Sequence, residues 1–203
     1  AHAEGILSDL TADVEDFRSG VEAYIFGYPL VTMEMTRRVM TNSATPGAIH
    51  APMGQFVRMR TYPDASFRDV TAPNADTLYI NAWVDMSKGP VLLDVPEMGT
   101  RYYTLAFMDL YAKPHHLGTR TNGGRATKYA LIGPSGGDVP AGYEVFRMPT
   151  DTAWMLGRLL ADGKADEKRV LSIAKTFLMR GPVATQVTAA APMNPYASLA
   201  YFT

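Results

Sequence analysis

The sequence predicts an α+β protein: a mostly antiparallel β-sandwich or barrel-like sheet, with an N-terminal helical element and two C-terminal helices. Three observations predict it. Residues 12–27 carry apolar side chains at helical spacing. Between residues 55 and 148, short stretches of strand character succeed one another with only turn residues between them. After Thr150-Asp151 the spacing becomes helical again. Strands this close, with no room for a crossover helix, pair antiparallel.

In the first helix Val14, Phe17, Val21, Tyr24, Ile25 and Tyr28 recur every three or four residues and share a face. Thr11 is positioned as its N-cap, and Asp13 and Glu15 complement the dipole of the first turn. Gly27-Tyr28-Pro29 is expected to break or kink it, because Pro29 has no amide to donate. A second run over 30–40 follows, with Met33, Met35 and Met40 as core filler. Residues 42–54 are rich in Pro, Gly, Asn, Ser and Thr and read as loop.

Strands are expected over 55–60, 77–84, 90–95, 101–111, 128–132 and 143–148. The 77–84 strand alternates cleanly: Leu78, Ile80, Ala82 and Val84 point one way, Thr77, Tyr79, Asn81 and Trp83 the other. Glycine-bearing turns such as Thr121-Asn122-Gly123-Gly124 and Gly133-Pro134-Ser135-Gly136-Gly137 separate the strands. A short helix is expected to hold Trp154, Leu156 and Leu159 and end near Gly163, and a second one to span 165–178. The organisation is then a leader remnant or flexible N-terminus over 1–10, an α+β domain over 11–180, and a linker or docking arm over 181–203. The apolar end of that arm, Leu199-Ala200-Tyr201-Phe202, is expected to dock on a second β-rich domain or chain, or on another copy of this one.

Composition narrows the function. The 203 residues are 47% hydrophobic and 19% charged, a balance that buries a core rather than staying disordered. A net charge of -1 gives no bulk attraction to nucleic acid or to an anionic membrane. The absence of cysteine excludes disulfides, thiolate metal sites and a cysteine nucleophile. No stretch of about 18 apolar residues is present to span a membrane. Ala1-His2-Ala3 has the small-x-small pattern that precedes a signal-peptidase cut, which predicts a periplasmic or secreted protein; it reads equally as a tag remnant.

Nucleophile elbow, phosphate loop, dinucleotide fingerprint and His-Glu-x-x-His helix are all missing, so neither a cofactor nor a metal is expected. His115 and His116 are neighbours, and on a strand they face opposite ways, which argues against shared metal ligation. One of them is a candidate general base, and Asp109, six residues before His115, is taken with it as a candidate catalytic residue. Asn74 and Asp76 stand before a strand that carries Tyr79 and Trp83. They are turn formers, or they line a cleft in which exposed aromatics stack on a flat ligand; Tyr103 belongs to the same set. Arg158 among apolar residues, and Arg120, are expected either in structural ion pairs or on a substrate.

Taken in order, Pro73-Asn74-Ala75-Asp76-Thr77-Leu78-Tyr79, Ala82-Trp83-Val84-Asp85-Met86-Ser87-Lys88-Gly89-Pro90, Val95-Pro96, Arg101-Tyr102-Tyr103, Leu117-Gly118-Thr119-Arg120-Thr121 and Trp154-Met155-Leu156-Gly157-Arg158 resemble the bacterial domain of unknown function 1254, from about residue 21 to 178. The resemblance implies a β-sandwich assembly with helical additions, often exported or lipid-anchored, that usually continues into a second β-rich domain, the domain of unknown function 1214. This chain stops where the linker between the two would run, and it departs from the pattern at His115-His116. Three functions compete. One is a hydrolase-like enzyme with Asp109 and His115 as catalytic residues, and Asn74, Asp76, Tyr79, Trp83, Arg120 and Arg158 as substrate-binding residues, its site completed by a partner. The others are a non-catalytic structural subunit, and a saccharide- or lipid-binding module built on Tyr79, Trp83 and Tyr103.

Overall fold

The computed structural model describes residues 2–62, 74 and 76–182. The chain opens on helix α1 (His2–Thr41), 40 residues long and about 60 Å at 1.5 Å per residue. It runs through Pro29 as one element, which corrects the break expected there. Proline removes one amide donor and crowds the carbonyl four residues back, at a cost of about 3 kcal/mol. Helical bonds continue on both sides and absorb it. The first strands are β1 (Val57–Arg58), β2 (Thr77–Asp85), β3 (Val91–Val95), β4 (Tyr103–Met108) and β5 (Pro114–Gly118). One turn, α2 (Thr119–Asn122), leads to β6 (Thr127–Ile132), β7 (Glu144–Arg147) and β8 (Thr152–Leu160). Helix α3 (Glu167–Ala174) and β9 (Leu178–Arg180) complete the described elements.

Two open sheets result, ordered β1-β2-β8-β4-β5 and β7-β6-β3-β9. Every pairing is antiparallel except β6 with β7. The α+β class and the sandwich are therefore as expected, while neither sheet closes into a barrel. The core lies between the sheets, where Leu78, Ile80, Ala82 and Val84 of β2 join Leu105 and Phe107 of β4, Leu93 of β3 and Leu131 of β6. Alternation along β2 thus assigned its two faces correctly. The α3 residues Val170 and Ala174 close one end with Phe177.

Residues 152–160 are the correction that matters most. They form not a helix but β8, the central strand of the larger sheet. Its inner side presents Ala153, Met155, Gly157 and Leu159, yet its outer side is also apolar at Trp154, Leu156 and Leu160. A strand apolar on both faces loses the two-residue period that would reveal it. One C-terminal helix remains of the two expected, and residues 178–180 pair with β3 instead of extending it. Gly157 is required by this packing. A Cβ there would lie 2.8 Å from the Ile80 carbonyl oxygen and 3.0 Å from Leu105 Cδ2.

Among the described residues, helix α1 is buried against this body over its C-terminal part. Met33 and Met35 are buried, as core filler should be. Trp83 donates its indole N–H to Met40 Sδ at 3.5 Å, and Ala51 donates to the Met40 carbonyl at 3.0 Å. Phe26 reaches Tyr111, ring centres 5.5 Å apart, and every residue from 12 to 26 is exposed. Among the described residues no helix is long and apolar enough to cross a membrane.

Candidate functional site

The face of the larger sheet turned away from the core is unusually polar in what it leaves unpaired. Register places Tyr79, Asn81 and Trp83 of β2 directly opposite Arg158, Leu156 and Trp154 of β8, and Arg158 opposite Thr104 of β4. Asn74 braces one end. Its side-chain oxygen accepts from the amides of Asp76 and Thr77 and from the Thr77 hydroxyl, at 3.3, 2.9 and 2.7 Å, the capping geometry of a turn former. Its Nδ2 donates to the Tyr79 hydroxyl at 2.7 Å and its backbone amide at 3.2 Å. The phenol is thereby fixed, and Arg158 lies over its ring with the guanidinium carbon 5.7 Å from the centre.

Arg158 has no carboxylate partner among the described residues. The structural ion pair expected of it is replaced by the contact with Tyr79. Two residues along, Asn81 Oδ1 is buried with no donor among the described residues, and two further, Trp154 Nε1 is buried with no acceptor among them. A small cavity lined by Met40, Ala51, Gln55, Val57, Asn81 and Trp83 adjoins the first of these. Trp154 stacks on Trp83, ring centres 5.8 Å apart and planes 7° from parallel. One sheet face therefore carries a free guanidinium, an unmet acceptor and an unmet donor over about 13 Å of strand, at roughly 3.3 Å per residue.

Other candidates fall elsewhere. Tyr79, Trp83 and Tyr103 are 7%, 3% and 0% exposed, so they form no open platform for a sugar or lipid. Tyr103 points into the core, where its hydroxyl makes no well-formed hydrogen bond among the described residues, Asn122 being the polar side chain nearby, and burial pushes its pKa up to about 12. Asp76 is exposed and contributes its carbonyl, which accepts from Ala161 at 2.9 Å. Arg120 is exposed on α2, just past the Gly118 that pairs with Thr104, at the Arg158 end of the sheet.

Asp109 and His115 are brought together in the β4–β5 hairpin. Asp109 is 3% exposed; its Oδ1 accepts from the amides of Tyr111 and Lys113 at 2.9 and 3.0 Å, and its Oδ2 lies 3.2 Å from His115 Nε2. Ala112, at φ 60°, makes the tight turn that allows this. His116 faces the other way, as adjacent strand residues must. Asp109 stands five residues beyond Thr104, roughly 17 Å along the strand from the Arg158 row. The pair and the Arg158 group are thus two separate places. Among the described residues no three His, Asp or Glu side chains gather to hold a metal. Of the docking arm expected over 181–203, residues 183–203 lie outside the described residues.

Sequence reasoning missed Asn81 and Trp154 as members of the group. The alternation of β2 did place Asn81 beside Tyr79 and Trp83; Trp154 was hidden by the helical reading of its strand.

Comparison with known proteins gives the family and the fold. A family model described as protein of unknown function, DUF1254, matches residues 53–181. Among solved structures, the VPA0106 protein from Vibrio parahaemolyticus is 22% identical with a TM-score of 0.63, over 86% of this chain and 42% of that one. A putative uncharacterized protein from Burkholderia cenocepacia is 17% identical with a TM-score of 0.39, over 89% and 47%. The chain spans less than half the length of either. No curated protein matches the sequence.

Proposed function

The chain belongs to the DUF1254 family of proteins of unknown function, and from that premise we propose that this domain is a non-catalytic binding module for a small molecule bearing a carboxylate or phosphate group. The ligand lies on the outer face of the larger sheet. The single observation that carries the reading is the unpaired guanidinium of Arg158 held over Tyr79, in line with the unmet polar atoms of Asn81 and Trp154. The Arg158 guanidinium is solvent-exposed, and the buried Asn81 Oδ1 and Trp154 Nε1 add an acceptor and a donor to the same face, so polar groups that a small anion can engage are gathered on one side of the sheet. Arg offers planar paired donors that match either anion. A second β-rich domain or chain completing the rim, and an exported location, belong to the same proposal. Thermal unfolding in sodium phosphate or sodium acetate, with sodium chloride at matched ionic strength as control, tests it. Wild-type protein is stabilised by the anion and R158Q is not. Equal response of the two proteins refutes the reading.

A second reading, a hydrolase-like acid–base centre, is favoured by Asp109 and His115. A buried carboxylate locked by two amides orients an imidazole in the way a general base needs. In that reading the substrate binds at the hairpin and not at Arg158. Turnover of p-nitrophenyl esters that is lost in H115Q would favour it over the binding module.

A further inference from the structure

We infer that the free part of α1 pairs, in parallel, with the same helix of a second copy of this chain. The helix leaves Val14, Phe17, Val21, Tyr24 and Tyr28 exposed by 66, 76, 41, 54 and 43%. With Ile25 they present roughly 600 Å² of apolar surface, taking an aromatic side chain at about 150–250 Å². That lies at the upper end of the largest patch a monomer ordinarily leaves open, about 300–600 Å². Two such faces bury about 1,200 Å² together, the lower bound of a specific interface.

The pattern on the face selects the partner. Val14, Phe17, Val21, Tyr24 and Tyr28 are spaced three, four, three and four apart, and the sequence continues this spacing through Leu7 and Leu10 before them. A helix that only lies on a globular body follows a 3.6-residue period and a broader stripe. A sustained 3.5-residue period drifts off a straight helix and is kept when two helices wind around each other. Parallel, in-register pairing also sets Asp13, just before the first valine, across from Arg18, just after Phe17, and does so twice by symmetry. Among the described residues of one chain, Arg18 pairs with Glu22 in a solvent-exposed contact. Gly20 and Gly27 flank the same seam with nothing within 4 Å of where a Cβ would stand, so the backbones approach freely there.

The test uses the full chain. Light scattering after size exclusion at micromolar concentration gives twice the chain mass for wild type. F17E/V21E, altered only at exposed positions, gives the chain mass with unchanged melting of the sheet body. Because the protein has no cysteine, V14C introduces a single thiol. Oxidation then links the variant to itself, since parallel register puts like positions face to face. A wild-type monomer, a dimer that survives F17E/V21E, or a V14C dimer that does not cross-link overturns the inference; capture of a different protein in place of the second copy does so as well.

Discussion

Tyr79 and Arg158 face each other across the β2–β8 ladder, and the guanidinium carbon of Arg158 lies 5.7 Å from the centre of the Tyr79 ring. The tyrosine is itself tied to Asn74 through its hydroxyl. The arginine is thus aimed by packing, with its donors unpaired among the described residues. Removing the two sides of this pair has different consequences. R158Q costs only about 0.5–1 kcal/mol, the worth of an exposed cation–π contact. Y79F, which deletes one oxygen, costs about 1–3 kcal/mol because the Asn74 amides lose their acceptor. Urea denaturation of both variants measures the contrast.

Tyr103 gives the opposite sign. Its hydroxyl is buried between the sheets with no well-formed hydrogen bond among the described residues, and burial pushes its pKa up to about 12. Y103F removes an unmet polar group and is expected to leave stability unchanged or raise it by about 1 kcal/mol. Spectrophotometric titration should lose a tyrosine that titrates at about 12 in this variant. A clear loss of stability would show that the hydroxyl has a partner.

Gly157 permits β8 to sit between Ile80 and Leu105. G157A drives a methyl group against the Ile80 carbonyl and Leu105 Cδ2 and is expected to cost about 1–3 kcal/mol, although alanine is the smaller conformational burden in the unfolded chain. Stability equal to wild type would mean that the strand shifts to make room.

Gly157 also shows why part of the fold was hidden in the sequence. Period and turn chemistry suffice for β2, whose Leu78, Ile80 and Val84 alternate with Tyr79, Asn81 and Trp83. They fail for β8, where Trp154 and Leu156 make the outer face as apolar as the inner one and a glycine interrupts the run. Pro29 misled in the other direction, because a local rule about one lost bond was outweighed by a long helix. The Asp109–His115 contact was within reach, six residues apart across a short turn. The Arg158 group was not, since it joins strands 79 residues apart whose pairing only the tertiary fold decides.

Arg101 and Asp166 supply a pH dependence. The guanidinium is paired to both carboxylate oxygens, and this hydrogen bonding holds Asp166 below the usual carboxylate range. A depressed folded pKa means that the stabilisation is full above the unfolded value near 3.9 and is lost as pH falls through the lower folded value. D166N should be less stable than wild type by about 1–2 kcal/mol at neutral pH, with the gap closing as pH is lowered into the acid range. Thermal unfolding across that range follows the gap, and a constant difference would assign the effect to packing instead.

The outer-face site is tested most directly by nitrogen-15 NMR during a sodium phosphate titration. The Arg158 side-chain N–H and the indole N–H of Trp154 can be watched together, since only Trp83 and Trp154 contribute indole signals. The binding account predicts that both move and saturate with one midpoint, and that the Trp154 signal stays still in R158Q. Signals that do not move, or a Trp154 response that is the same in R158Q, would contradict it.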